Sequence, residues 1–138
     1  MRMPLAEVID RYSILKLKLE RLVKTNKEPE LIQKIIKKEF EIYTHALKEF
    51  VLEGIVVKPE WIKKLYKING RTWDLEADIR QGKEGKLGLE EVGRRALKIR
   101  DINKERVEMK NYITKKTRSG YLEIKVDHAS ESQRKRNE

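Results

Sequence analysis

Between Pro4 and Lys24 the apolar residues Val8, Ile9, Tyr12, Leu15, Leu19, Leu22 and Val23 return at helical spacing. Pro4 suits the first turn of such a helix, where a missing N–H leaves nothing unpaired. Ile14 and Leu17 fall outside the stripe, which predicts packing on two sides. Thr25-Asn26-Lys27-Glu28-Pro29 reads as a short connection. A second helix is predicted from Pro29 to Leu52, with Leu31, Ile32, Ile35, Ile36, Tyr43, Ala46, Leu47, Phe50 and Val51 as its buried face and Gly54 as its stop. A connection this short makes the two helices antiparallel neighbours.

Ile55-Val56-Val57 is a β-branched run suited to an extended link. A third helix is predicted from Pro59 to Arg80, with Trp61, Leu65, Ile68, Leu75 and Ile79 in the core. The glycine-bearing stretch from Gln81 to Gly88 reads as a loop or hinge. A fourth helix follows from Leu89 to Ile113, turning Val92, Ala96, Ile99, Ile102, Met109 and Ile113 inward. Past Gly120 the period changes: Leu122, Ile124 and Val126 alternate with Glu123 and Lys125, which predicts a short strand. A lone strand is not stable, so it must pair with Ile55–Val57 or with a second copy of the chain.

The fold predicted is therefore all-α, an antiparallel bundle of about four long helices with a short C-terminal β element. One helical domain is expected over residues 1–131, followed by a flexible basic tail at 132–138. The long stripes and the orphan strand predict a homodimer.

Composition narrows the chemistry. Charged residues make up 41% of the 138 and hydrophobic ones 38%, so the core must come from narrow stripes rather than apolar blocks. The absence of cysteine excludes disulfides, thiolate metal sites and cysteine nucleophiles. Two histidines, His45 and His128, do not make a histidine zinc site. No apolar run reaches membrane-span length and the first residues lack a signal-peptide core, so a cytoplasmic protein is expected. The net charge is +10, and residues 115–138 hold only +3 of it, with seven Lys/Arg against four Asp/Glu. Such a field attracts nucleic acid, acidic head groups or phosphorylated small molecules, although solvated lysine faces give the same count with no partner.

The informative residues are polar ones on inward stripes. Asn69, Trp73, Glu76 and Arg80 share one stripe of the third helix at about 100° per residue. Asn103, Arg106 and Lys110 extend the apolar line of Ala96 and Ile99 on the fourth. Glu7, Arg11 and Lys18 align with Ile14 on the first, with Asp10 beside them. One reading is an inter-helix network of ion pairs that sets packing register. The other is a groove in which Arg80, Arg100, Arg106 and Lys110 receive an anion, Glu76 and Asp10 orient it, and Trp73 stacks on a base or sugar.

Glu7-x-x-Asp10, with Glu76 and Asp78 later, also superficially resembles the paired acidic helices of all-α nucleotide pyrophosphohydrolases that hold magnesium, although Asp78 should point away from Glu76. The glycine stretch lacks the Gly-Lys-Ser/Thr ending of a phosphate-binding loop and is a connector. Lys63, Lys67 and Arg71 form an outward basic stripe, and Lys34, Lys37 and Lys38 form a second, both compatible with unspecific backbone contact to nucleic acid.

As a set, Pro4-Leu-Ala-Glu-Val-Ile-Asp-Arg-Tyr-Ser-Ile-Leu, Trp73-Asp-Leu-Glu-Ala-Asp-Ile-Arg80 and Arg100-Asp-Ile-Asn-Lys-Glu-Arg106 resemble a family of uncharacterised small helical proteins of bacteria and phages, often encoded near glycosyltransferases. The resemblance spans most of residues 4–131 and covers Glu7, Asp10, Arg11, Asn69, Trp73, Glu76, Arg80, Asn103 and Arg106. It implies no activity; the neighbourhood suggests sugar-nucleotide or glycan metabolism. The lysine-rich second helix and the basic tail depart from the family pattern.

The function expected is a binding or accessory protein that engages a phosphorylated or anionic ligand through the polar stripes of helices three and four. The alternatives are a magnesium-dependent nucleotide or nucleotide-sugar hydrolase or transferase, with Asp10 and Glu76 as magnesium ligands or general bases, and unspecific nucleic-acid binding through surface Lys and Arg.

Overall fold

The computed structural model describes residues 2–80 and 84–118, with side chains at 2–77 and 88–118. Among these residues the elements are α1 (Leu5–Lys18) with a π turn at Leu19–Val23, α2 (Glu30–Leu52), α3 (Pro59–Arg80) and α4 (Glu84–Thr117). The predicted strand at 122–126 and the tail at 132–138 lie outside the described residues.

Helix directions follow from which residues meet. Arg2 pairs with Glu53, Tyr12 stacks on Phe40 at 4.9 Å, and Gln33 bonds Asn26, so α1 and α2 run antiparallel. Asp10 meets Asn69 and Arg21 meets Asp74, so α3 runs parallel to α1. Arg106 meets Asp10 and Lys110 meets Glu7, so α4 runs antiparallel to both. α1 packs against every other helix, as its off-stripe Ile14 and Leu17 predict, whereas among the described residues α2 packs on α1 and its π turn alone.

The core lies between α1, α3 and α4, with Leu5, Ile9, Leu65, Ile68, Met109 and Ile113 buried. α2 adds Ile36, Leu47 and Phe50. Its predicted buried face was too wide: Leu31, Ile32, Ile35 and Val51 are 40–69% exposed. A helix with one neighbour covers one stripe, and a second apolar stripe beside it stays open. Ala96 on α4 is likewise exposed.

Two local departures shape the ends. The predicted first helix changes to π winding at Leu19–Val23, where Lys24 N–H donates to Leu19 and Lys27 N–H to Leu22. The stretch predicted as a loop up to Gly88 is helical from Glu84, and Gly88 breaks it at φ 79° and ψ 155°, a conformation that needs glycine. α2 stops in a Schellman motif, with Gly54 at φ 84°, Ile55 N–H on Phe50 and Gly54 N–H on Val51.

Leu65 has no exposure and Leu52 has 86%. Leu65→Ala is expected to lower unfolding free energy by about 2–5 kcal/mol, and Leu52→Ala by no more than about 0.5 kcal/mol, in urea denaturation at unchanged slope.

Candidate functional site

Asp10 is the polar centre of the bundle. It has no solvent exposure, because Ile9 and its neighbours bring that face of α1 against α3 and α4. Asn69 of α3 donates to Asp10 Oδ1 at 2.9 Å and to Ser13 Oγ at 2.9 Å, while Ser13 donates to the Asp10 carbonyl at 2.7 Å. Arg106 of α4 donates from Nε to both carboxylate oxygens at 3.0 Å and from a terminal nitrogen to Oδ2. A buried carboxylate is tolerated when its partners are this complete. Every buried side-chain nitrogen and oxygen among the described residues has a partner.

One turn toward the N-terminus, Glu7 accepts from Lys110 at 2.6 Å and from Arg11 at 3.1 Å. Burial alone would raise the Glu7 carboxyl, but the hydrogen bonds from Lys110 and Arg11 outweigh it and hold the group below its ordinary range. Glu7 and Tyr43 raise the Arg11 guanidinium by hydrogen bonding to its charged form.

Six of the residues singled out by sequence thus converge: Glu7, Asp10, Arg11, Asn69, Arg106 and Lys110. Trp73, Arg100 and Asn103 lie elsewhere. The α3 stripe meets α1 first, so Trp73 lies against the π turn, with the Arg21 guanidinium 5.9 Å from its ring centre. Glu76 is half-buried, about 10 Å along α3 from Asn69. Asn103 is exposed, and exposed Arg100 lies 3.6 Å from Asp101. The side chain of Arg80 lies outside the described residues.

Ser13 was missed by the sequence reading. Its signal was a hydroxyl in the row Ile9-Ser13-Leu17, polar where two apolar neighbours flank it on one face. The Arg21–Asp74 pair beside Trp73 had no comparable signal, because π winding re-aims the end of α1.

Above the closed network lies a groove of about 240 Å³ between α1, α2 and α4, lined by Glu7, Arg11, Lys18, Glu39, Tyr43 and Arg106. Lys18 also lines a cleft of about 760 Å³ that contains Trp73, Arg21, Thr25 and Asp74. Both openings follow one side of α1.

The carboxylates named for a magnesium hydrolase are not set up as a pair. Asp10 is enclosed by Arg106 and Asn69, and among the described residues no three acidic or imidazole groups converge to hold a metal. The outer basic stripe of α3 runs beside acids: Arg71 is paired with Glu105, and Glu105 and Glu108 line a cleft between α3 and α4 together with Lys67 and Arg71. No helix among the described residues is long and apolar enough to cross a membrane. Comparison with family models, curated proteins and solved structures finds no match to this chain.

Two outcomes are expected of the network. Arg106→Met leaves the buried Asp10 carboxylate uncompensated and should cost about 3 kcal/mol in urea unfolding; the double change Asp10→Leu/Arg106→Met should recover most of that loss. Because the folded Glu7 value lies below the unfolded one, Glu7 adds stability above its ordinary 4.5, and that contribution is lost as pH falls through the folded value. The stability difference between the native chain and Glu7→Gln should therefore hold steady near neutral pH and shrink as pH falls below 4.5.

Proposed function

We propose that the protein is a binding module for a phosphorylated ligand, seated along the open side of α1. The observation that carries this reading is Arg106. Its inner edge is held by buried Asp10, while its side chain keeps 32% exposure and lines the groove that contains Arg11 and Lys18. A guanidinium already oriented by a carboxylate has less freedom to lose when it meets an anion. Three cationic side chains line this groove against two carboxylates, and the +10 charge of the chain adds long-range attraction.

Size limits the ligand. About 240 Å³ falls below the ~300–1,000 Å³ of pockets that enclose a whole small molecule, and it suits a phosphate group with its nearest atoms. Lys18 links this groove to the Trp73 cleft, and Arg11 and Lys18 are separated by about 10 Å along the helix. A ligand with phosphate at one end and a base or sugar at the other matches that span. Nucleotides and nucleotide-sugars have this form, in line with what the family resemblance implies. The site combines α1, α2 and α4 with Trp73 of α3, rather than α3 and α4 alone. In this reading the module binds its ligand without transforming it, since Asp10 is sealed from solvent.

With Trp61 replaced by Phe, Trp73 is the remaining tryptophan. UDP-glucose or ADP is expected to raise Tm and quench Trp73 emission, and inorganic pyrophosphate to raise Tm without the quench. Arg11→Ala and Lys18→Ala should each weaken binding by about tenfold. Unchanged Tm with all three compounds at about 5 mM would refute the reading.

A further inference from the structure

We propose that α2 is an association helix that pairs antiparallel with α2 of a second copy of this chain. The inference does not depend on the ligand reading. Among the described residues, six of the ten large apolar side chains with high exposure belong to α2: Leu31, Ile32, Ile35, Ile42, Val51 and Leu52. Leu31, Ile32, Ile35 and Ile42 lie within about 100° of one another around the axis, and they are 69%, 40%, 45% and 56% exposed. This is a seam beside the one that packs on α1, and neither α3 nor α4 reaches it. At about 1.5 Å per residue, the 23 residues of α2 present a line of about 35 Å.

Charge indicates the occupant and its direction. From Glu30 to Lys38 the helix carries Lys34, Lys37 and Lys38 against Glu30, a balance of +2. From Glu39 to Glu53 it carries Glu39, Glu41, Glu49 and Glu53 against Lys48, a balance of −3. The last turn has no basic residue, the reverse of what the helix dipole favours at its C-terminus. Arg2 answers Glu53, but among the described residues Lys37, Lys38, Glu39 and Glu41 have no ion-pair partner. A second α2 laid antiparallel sets the basic half of each helix against the acidic half of the other. A parallel pair would set like against like. An antiparallel pair about a two-fold axis is also the self-complementary arrangement that closes, and apolar seams flanked by matched charges are what helix pairs use.

The test uses the full chain. Sedimentation equilibrium should give a dimer, and Ile35→Glu/Ile42→Glu should weaken it at least a hundredfold with unchanged helix content, since both positions are exposed, while Tm loses its dependence on protein concentration. Lys34→Glu/Lys38→Glu should weaken it tenfold or more, and adding Glu41→Lys/Glu49→Lys should restore it. The chain has no cysteine, so single replacements report direction. With a short bismaleimide, Ile42→Cys near the helix middle should cross-link to itself, and Leu31→Cys near the end should not. A monomer at high concentration, or a dimer indifferent to Ile35→Glu/Ile42→Glu, would overturn the proposal. Self-cross-linking of Leu31→Cys as fast as that of Ile42→Cys would overturn the antiparallel arrangement.

Discussion

A carboxylate with no solvent exposure sits where three helices meet, and much else in the structure depends on it. Asp10 is removed from water, which costs several kcal/mol unless partners are fixed around it. Asn69 fixes the height of α3 against α1, and the Arg106 guanidinium fixes α4. Apolar stripes alone tolerate sliding by a turn, because one Leu or Ile replaces another at little cost. A carboxylate bound to an amide and a guanidinium does not. Ser13 strengthens the same point by joining Asn69 to the α1 backbone.

From that register follows the division between closed and open charge. The inner polar row is satisfied within the protein: Asp10 by Arg106 and Asn69, Glu7 by Lys110 and Arg11. The cations facing outward from the same side of α1, together with the outer part of Arg106, line a groove. Inter-helix network and ligand site were competing readings of these residues in the sequence. In the fold they become two layers, the network forming the floor on which the proposed site rests. Lys18 lines both this groove and the cleft of Trp73, whose surroundings depend on the π turn at Leu19–Val23.

α2 stands apart. It shares one stripe with α1 and leaves another open, so it contributes Tyr43 and Glu39 to the groove without enclosing it. Its lysines and glutamates are segregated along the axis, unlike the mixed charges of an ordinary solvated face. That segregation is invisible to net charge, because +10 sums over the whole chain and carries no position along α2.

The helices and their order were legible in the sequence, since an apolar residue at every third or fourth position dictates a helix wherever proline and glycine allow. Pro4, Pro29, Pro59 and Gly54 marked ends the structure keeps within a residue or two. The polar stripes were legible too, because Asp10, Asn69 and Arg106 occupy positions where burial would favour apolar side chains. Which of them would touch was not. Spacing along one helix specifies a face, but neither the neighbour opposite that face nor its height. Those were decided by three helices closing around Asp10, by π winding that turned Arg21 toward Trp73, and by α2 packing, among the described residues, on α1 and its π turn alone.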